Sequence, residues 1–252
     1  MSEQAYIAGA LPRHRQAPAP RPGPGGALAI ALCCLAAAAL VWAVADLVPA
    51  AQLKDAVALH DFTLLKGPTV AKLARFLLHL LDPLEFVLWG VALVAVALAR
   101  ERPRVALAVA LVMALAPLTS ELLKPLLAHP HVQIGRTRVG SASWPSGHAT
   151  AATTLALSAV LVAPRRLRPL VAWAGGAFAL AVGCALLILA WHMPSDVLGG
   201  YLVASFWTAL AVAALRAGER RRPTRRRRDA RPAATAAPPP GTPSRHPGAP
   251  AR

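Results

Sequence analysis

Apolar residues fill six long segments of the chain, and short polar or proline-containing breaks separate most of them. Two of these breaks lie at Arg100–Arg104 and Pro164–Pro169. Each apolar segment approaches the roughly 20 residues that an α-helix needs to cross a bilayer. The pattern therefore predicts an all-α fold, a six-span transmembrane helical bundle, with spans at about 27–49, 83–99, 104–123, 148–163, 169–191 and 195–215.

The first apolar segment has a second interpretation as a cleavable signal peptide. Ala43, Val44 and Ala45 have the small-residue pattern of a cleavage site. Cleavage there would not change the expected orientation of the other five spans.

The two ends of the chain differ in composition from its apolar middle. Residues 1–26 are rich in Pro, Ala, Gly and Arg, and residues 217–252 carry an arginine run followed by a Pro, Ala and Thr tract. Neither end can bury enough apolar surface to offset the entropy lost on ordering. We therefore expect disordered cytoplasmic tails at 1–26 and 217–252, with the membrane domain at 27–216.

The stretch 51–82 is too polar to span a membrane. Lys72, Arg75 and His79 follow one another at spacings of three and four, which places them on one face of a helix. Apolar residues populate the rest of that helix. This pattern predicts an interfacial amphipathic segment on the outer leaflet, and the alternative is a cap packed over the bundle.

Composition supports the membrane interpretation, because 56% of the residues are hydrophobic and only 15% are charged. The formal net charge of +16 is concentrated at the ends and in short gaps. The arginine cluster at 220–228 directly follows an apolar run, so its expected partner is anionic lipid rather than nucleic acid. The three cysteines lie within apolar runs and show no metal-ligand spacing.

The distribution of Lys and Arg predicts the orientation of the chain. With the N-terminus inside, 20 of these residues fall on the cytoplasmic side and 7 on the other side. This bias favours cytoplasmic N- and C-termini in a multi-pass protein of the cell membrane. The loop 124–147 and the turn at His192 then share the outer face.

The first candidate for chemistry is the run Pro145-Ser146-Gly147-His148 at the start of the fourth predicted span. Proline and serine are typical of a helix start, and Ser146 is expected near the N-cap. Gly147 lets backbone approach a ligand, and the free N–H groups of a helix N-terminus bind anions. His148 is then placed to give a proton to an oxygen of a bound anion.

The second candidate is His192 with Asp196, four residues apart at the start of the sixth predicted span. Asp196 can bind one imidazole nitrogen, which would leave the other as a nucleophile or base. Two alternatives remain open at this point. The pair could simply join two helices, or His148, His192 and Asp196 could bind zinc, although no HExxH-like spacing is present.

The third candidate is Lys124, which ends the third predicted span after Thr119, Ser120 and Glu121. An ammonium group there could bind phosphate at the outer edge of the membrane. A lysine that only extends its head to the interface is a common alternative.

Together these residues resemble the three-part signature of the type 2 phosphatidic acid phosphatase superfamily. That signature is a lysine followed by Arg-Pro, then Pro-Ser-Gly-His, then Ser-Arg with five residues before a His and three more before an Asp. The middle part matches completely at residues 145–148, and the His-x-x-x-Asp part matches at His192 and Asp196. The resemblance covers about 119–200 by motif and roughly 27–215 by the plan of spans.

The resemblance implies a role for each matching residue. His192 would be the nucleophile that forms a phosphohistidine, with Asp196 orienting it, and His148 would be the general acid for the leaving alcohol. The remaining matches, Lys124, Ser146 and the Gly147 amide, would hold the phosphoryl oxygens. The implied enzyme needs no metal or cofactor, and acts on a lipid phosphate or diphosphate monoester such as phosphatidate, phosphatidylglycerol phosphate or a polyprenyl phosphate or diphosphate.

The chain departs from the family signature where its arginines are expected. Leu186 and Ala185 stand at the Arg and Ser positions before the nucleophile, and His129-Pro130 is the nearest equivalent of Arg-Pro. Arg136 is our preferred substitute in phosphate binding, ahead of Arg138, because Gly135 before it gives the backbone freedom. The missing arginines leave a second function open, a weakened or inactive lipid-binding or scaffold protein on the same fold. A transporter is the third, least supported because no inverted repeat is evident.

Overall fold

The computed structural model describes residues 23–135 and 137–220, and in these ranges it contains eight α-helices and no strand. The predicted all-α fold is thus confirmed. The helices are α1 (Pro24–Leu47), α2 (Pro49–Thr63), α3 (Pro68–His79), α4 (Pro83–Ala99), α5 (Pro103–Leu126), α6 (Gly147–Val162), α7 (Arg168–Ile188) and α8 (Pro194–Arg220).

Proline marks the start of most of these helices. Seven of the eight have a proline in the first two positions, and α6 is the exception. Proline is tolerated there because its missing N–H would have no partner inside the helix. Helix α1 starts at Pro24 and α8 continues to Arg220, so both helices extend a few residues into the predicted tails. The rest of those tails lies outside the described residues.

The predicted count of six spans is not confirmed. Four helices of the described chain, α1, α5, α7 and α8, are long and apolar enough to cross a membrane, and the pair α3 and α4, bent by 54°, could form a fifth span. Each predicted span does coincide with a helix, but α6 has 16 residues and α4 has 17. At 1.5 Å per residue each measures only about 25 Å, which is less than the roughly 30 Å of hydrocarbon.

The predicted interfacial segment 51–82 forms two helices, α2 and α3, rather than one. The break covers residues 64–67 and ends at Gly67, directly before Pro68. Helix α3 buries the small face made by Ala71 and Ala74 and packs on α7, while Lys72 on its other face is exposed. The first of these faces joins α3 to the core, and the second is free to meet solvent or lipid.

Close packing between α6 and α8 determines where the site forms. A Cβ at Gly200 would lie 2.7 Å from the carbonyl oxygen of Ser146 and 2.9 Å from Cβ of Ala149. A Cβ at Gly199 would lie 2.7 Å from the Trp144 indole. Small residues allow membrane helices to approach at backbone distance. The start of α6 therefore rests directly on the start of α8.

Arginines gather at the opposite end of the same helices. Arg102 donates to the carbonyl oxygens of Leu161 and Val162 at the end of α6, and Arg104 donates to that of Gly218 at the end of α8. Cationic groups are favourable at helix C-termini, where carbonyl groups lack partners. The Pro-Ser-Gly-His run and the His192 turn thus lie at one end of the bundle, and these arginines lie at the other.

Candidate active site

One cavity of about 850 Å³ is lined by four of the predicted site residues. Lys124 from α5, Gly147 and His148 from α6, and His192 from the turn before α8 all line it. Most of the remaining lining is apolar and comes from α4, α5 and α6. The two histidines, 44 positions apart in the chain, therefore face the same space.

Ser146 begins α6 as its N-cap, as the sequence predicts. Its Oγ accepts a hydrogen bond from the Ala149 N–H at 3.4 Å, and its own N–H donates to the Asp196 carbonyl oxygen at 2.9 Å. The residue is fully buried and does not line the cavity. Ser146 thus holds the start of α6 against α8 without facing the cavity.

Gly147 lies against the side chains at the end of α5. A Cβ at this position would be 2.9 Å from Oε1 of Glu121 and 3.5 Å from Nζ of Lys124. Those two groups form an ion pair with a distance of 2.6 Å between Nζ and Oε1. The absence of a side chain at Gly147 therefore lets a cation and a carboxylate approach the N-terminus of α6.

His192 and Asp196 form the expected pair. The distance from Nδ1 of His192 to Oδ2 of Asp196 is 3.3 Å, and the same oxygen accepts a hydrogen bond from the Met193 N–H at 2.9 Å. The Asp196 side chain is fully buried, whereas that of His192 is 13% exposed. A carboxylate at Nδ1 favours the tautomer in which Nε2 has a free lone pair, as a nucleophile requires.

His148 is held against the turn that carries His192. Its ring makes an edge-to-face contact with Trp191, with ring centroids 6.0 Å apart and planes at 63°. Edge-to-face packing restricts the orientation of both rings. Because Trp191 directly precedes His192, this contact places the His148 ring beside the turn that carries His192.

Asp55 is a residue of this region that sequence reasoning missed. Its carboxylate accepts hydrogen bonds from the N–H of Ser195 at 3.2 Å and from the hydroxyl of Ser195 at 2.6 Å. Burial raises the pKa of Asp55, although the two bonds from Ser195 act to lower it. No local pattern marks this contact, since the partners are 140 positions apart.

Of the two predicted replacements for the family arginines, the structure describes Arg138, which is not among the residues that line the cavity. Arg136 lies outside the described residues, and Arg138 is exposed and donates to the carbonyl oxygen of its neighbour Thr137. Leu186 is fully buried in the apolar core. His131 pairs with Ser143 at 2.8 Å, away from the cavity lining.

Among the described residues that line the cavity, Lys124 is the single Lys or Arg. The same lining includes two acidic residues, Asp82 and Glu121.

Among the described residues, no group of three or more His, Cys, Asp or Glu residues is arranged to hold a metal ion. The set of the zinc alternative, His148, His192 and Asp196, does not form such a group.

A comparison with known protein families finds a match over the part of the chain that contains these residues. Residues 105–220 match the family model described as the PAP2 superfamily, and this range includes all the matching motif residues. Residues 105–220 belong to the PAP2 superfamily. None of the curated proteins compared is significantly similar to the chain.

A solved structure extends the PAP2 fold beyond the matched range. It is the crystal structure of a transmembrane PAP2-type phosphatidylglycerolphosphate phosphatase from Bacillus subtilis, similar with a TM-score of 0.59 and 22% identity. The similarity covers 76% of this chain and 96% of that one. At this identity the likeness establishes the shared fold. The long apolar helices of the described chain, together with this shared fold, indicate a multi-pass membrane protein.

Proposed function

We propose that the protein is a membrane-embedded phosphatase that hydrolyses a lipid phosphate or diphosphate monoester through a phosphohistidine intermediate. The observation that carries this proposal is the meeting of Lys124, Gly147, His148 and His192 at one cavity with apolar walls. Membership of residues 105–220 in the PAP2 superfamily supports the reaction class.

In the first step, the phosphoryl group binds between Lys124 and the N-terminal N–H groups of α6. Nε2 of His192 attacks phosphorus, so that an N–P bond forms while the bond from phosphorus to the leaving oxygen breaks. His148 gives its proton to that oxygen, and Asp196 stabilises the cationic imidazole. The ammonium group and the helix dipole stabilise the charge on the phosphoryl oxygens.

In the second step, water regenerates the enzyme. His148, now neutral, accepts a proton from the water molecule as its oxygen attacks phosphorus. The N–P bond of phospho-His192 breaks, and the electron pair returns to the imidazole. Inorganic phosphate leaves, and the original protonation states are restored.

The walls of the cavity support a lipid rather than a soluble substrate. Phe86, Val87, Val91 and Val94 line it on α4, and Met113 faces them from α5. An apolar tail in contact with these side chains would be favoured by about 25 cal/mol for each Å² removed from water. Phosphatidylglycerol phosphate is the first substrate to test, because the similar solved structure is named for it, and phosphatidate and polyprenyl phosphates follow.

The proposed orientation places both termini in the cytoplasm and the active site on the outer face. The arginines that line a cavity at the far end of α5, α6 and α8, among them Arg102, Arg168 and Arg216, support this arrangement. The arginine-rich segment that follows Arg220 is proposed to bind anionic lipid on the same cytoplasmic side. Labelling of single cysteines placed near Glu101 and Thr137 in intact cells would test the orientation: reaction at the first position alone would contradict it.

The activity is tested with purified full-length protein in detergent and without added metal. Phosphate release from at least one lipid of the panel is expected for the wild type, and none for His192→Ala. His131→Gln is the matched control, because His131 does not line the cavity. Equal release by wild type and His192→Ala would refute the mechanism. An acid-labile phosphoryl label on the wild type that is absent from His192→Ala would identify the intermediate directly.

The second candidate function is a lipid-binding protein without turnover. The observation that favours it is the pairing of Lys124 with Glu121 in a cavity whose described lining holds no other Lys or Arg. This alternative predicts binding of anionic lipid with no phosphate release across the panel. Turnover that depends on His148 and His192 would exclude it.

A further inference from the structure

Glu121 lies where an anion would be expected to bind. It is one turn before Lys124 on α5, and its Oε1 is 2.6 Å from the Lys124 ammonium nitrogen. Both side chains line the cavity that contains His148 and His192. The ammonium proposed to bind phosphate is therefore already in contact with a carboxylate of the same protein.

The same carboxylate oxygen also lies at the start of α6. A Cβ built on Gly147 would be only 2.9 Å from it. The N-terminus of a helix carries partial positive charge and attracts anions. The Glu121 carboxylate thus meets the two features that a phosphoryl group would use, the Lys124 ammonium and the helix N-terminus.

From this geometry we propose that Glu121 occupies the phosphoryl position of the substrate-free site as an internal competitor, which the substrate must displace. The proposal rests on the proposed function. Glu121 can be displaced because its side chain is 60% exposed, whereas that of Lys124 is 22% exposed. Rotation of Glu121 toward solvent would leave the ammonium in place for the substrate.

The charge of Glu121 also bears on the choice between the two proposed substrate classes. Besides Lys124 and the two histidines, the ionisable residues of the described cavity lining are the acids Asp82 and Glu121, and Asp82 is paired with His79. Repulsion between a nearby carboxylate and the substrate grows with the negative charge of the substrate. Glu121 therefore favours a monophosphate over a diphosphate at this site.

Binding of inorganic phosphate to the detergent-solubilised protein, measured by calorimetry, tests the proposal without turnover. Glu121→Gln keeps the size of the side chain and removes its charge, so phosphate should bind about fivefold more tightly, the effect expected for an ion pair of this exposure. Glu219→Gln, with the same change of charge at the other end of the bundle, should bind like the wild type. Lys124→Ala should lose phosphate binding.

Unchanged or weaker phosphate binding by Glu121→Gln would overturn the proposal, as would the absence of measurable phosphate binding in every variant. Kinetics give a second readout if the wild type is active. Glu121→Gln should lower KM, and should lower it more for a diphosphate than for a monophosphate; a larger decrease for the monophosphate would overturn the specificity claim. A wild type that binds phosphate but releases none from lipids would refute the proposed function and leave the binding result standing.

Discussion

The carboxylate of Asp55 accepts hydrogen bonds from both the backbone N–H and the hydroxyl of Ser195. Ser195 lies in the first turn of α8, directly before Asp196 and three positions after His192, so the contact holds the segment that carries the proposed catalytic pair. Asp55 belongs to α2 and lies outside the range that matches the PAP2 superfamily. A segment outside the matched range therefore contacts a residue inside it.

Replacing Asp55 should slow the proposed reaction without weakening substrate binding. In Asp55→Ala, the start of α8 loses both bonds, and a small displacement of His192 should reduce kcat about 10- to 100-fold. KM should stay close to that of the wild type, because Lys124 and Gly147 belong to other helices. Asp55→Asn keeps an acceptor for Ser195 and should recover part of the rate. Steady-state kinetics on all three proteins provide the measurement.

Asp61→Ala is the matched control for Asp55, since Asp61 is exposed on the same helix. Melting temperatures measured in detergent separate positioning from simple destabilisation. A variant Asp55→Ala that melts earlier but keeps the kcat of the wild type at a temperature where it is folded would show that Asp55 serves stability alone.

Asp196 should be required for the chemical step. Asp196→Asn keeps an oxygen to accept the Met193 N–H but removes the charge that stabilises the His192 imidazolium. Loss of the corresponding carboxylate in a serine protease triad lowers the rate by about 10⁴, and we expect a decrease of about 10²- to 10⁴-fold here. Single-turnover phosphate release measures this step. A rate within a factor of two of the wild type would mean that the pair only joins two helices.

The helix start and the His192–Asp196 pair of the candidate site could be predicted from the sequence because their signals are local. Pro145, Ser146 and Gly147 specify a helix start within a few residues, and the structure begins α6 at that point. His192 and Asp196 are four positions apart, so the bond between them depends on a single turn. Patterns of this kind depend only on neighbouring residues, so they can be recognised without tertiary information.

The rest of the site depends on contacts that a linear pattern does not contain. Glu121 three positions before Lys124 looks like an ordinary surface ion pair until α6 places Gly147 beside it. The predicted count of six spans is not confirmed for a different reason, because apolar composition does not fix the length of a helix such as α6. In contrast, the break in the segment 51–82 had a readable signal, Gly67 followed by Pro68.

Gly147→Ala should weaken phosphate binding while leaving the fold intact. The new methyl group would lie 2.9 Å from Oε1 of Glu121 and 3.5 Å from Nζ of Lys124, in the space proposed for the phosphoryl group. Stability should hold, because the exposed Glu121 side chain can move and alanine is a better helix former than glycine. We expect KM to rise about tenfold, an effect of roughly 1.4 kcal/mol. An unchanged KM would place the phosphoryl group elsewhere in the cavity.

Gly200→Ala should disrupt the contact between α6 and α8 that the whole site depends on. Its Cβ would lie 2.7 Å from the Ser146 carbonyl oxygen and 3.0 Å from the Thr150 amide nitrogen, and these are backbone atoms that cannot turn aside. Overpacking of this kind lowers the free energy of unfolding by about 1–3 kcal/mol. Separation of the two helices should also move His148 away from His192 and lower the phosphatase activity.

Gly176→Ala provides the comparison for Gly200, since its Cβ would meet nothing within 4 Å on α7. The free energy of unfolding of that variant should rise by up to about 1 kcal/mol, because alanine has a higher helix propensity than glycine. Thermal unfolding in detergent should therefore give a melting temperature below that of the wild type for Gly200→Ala and above it for Gly176→Ala. Phosphate release is measured on the same samples. Equal melting temperatures for both would mean that α6 and α8 are not packed at backbone distance, and the convergence of the two histidines would lose its structural basis.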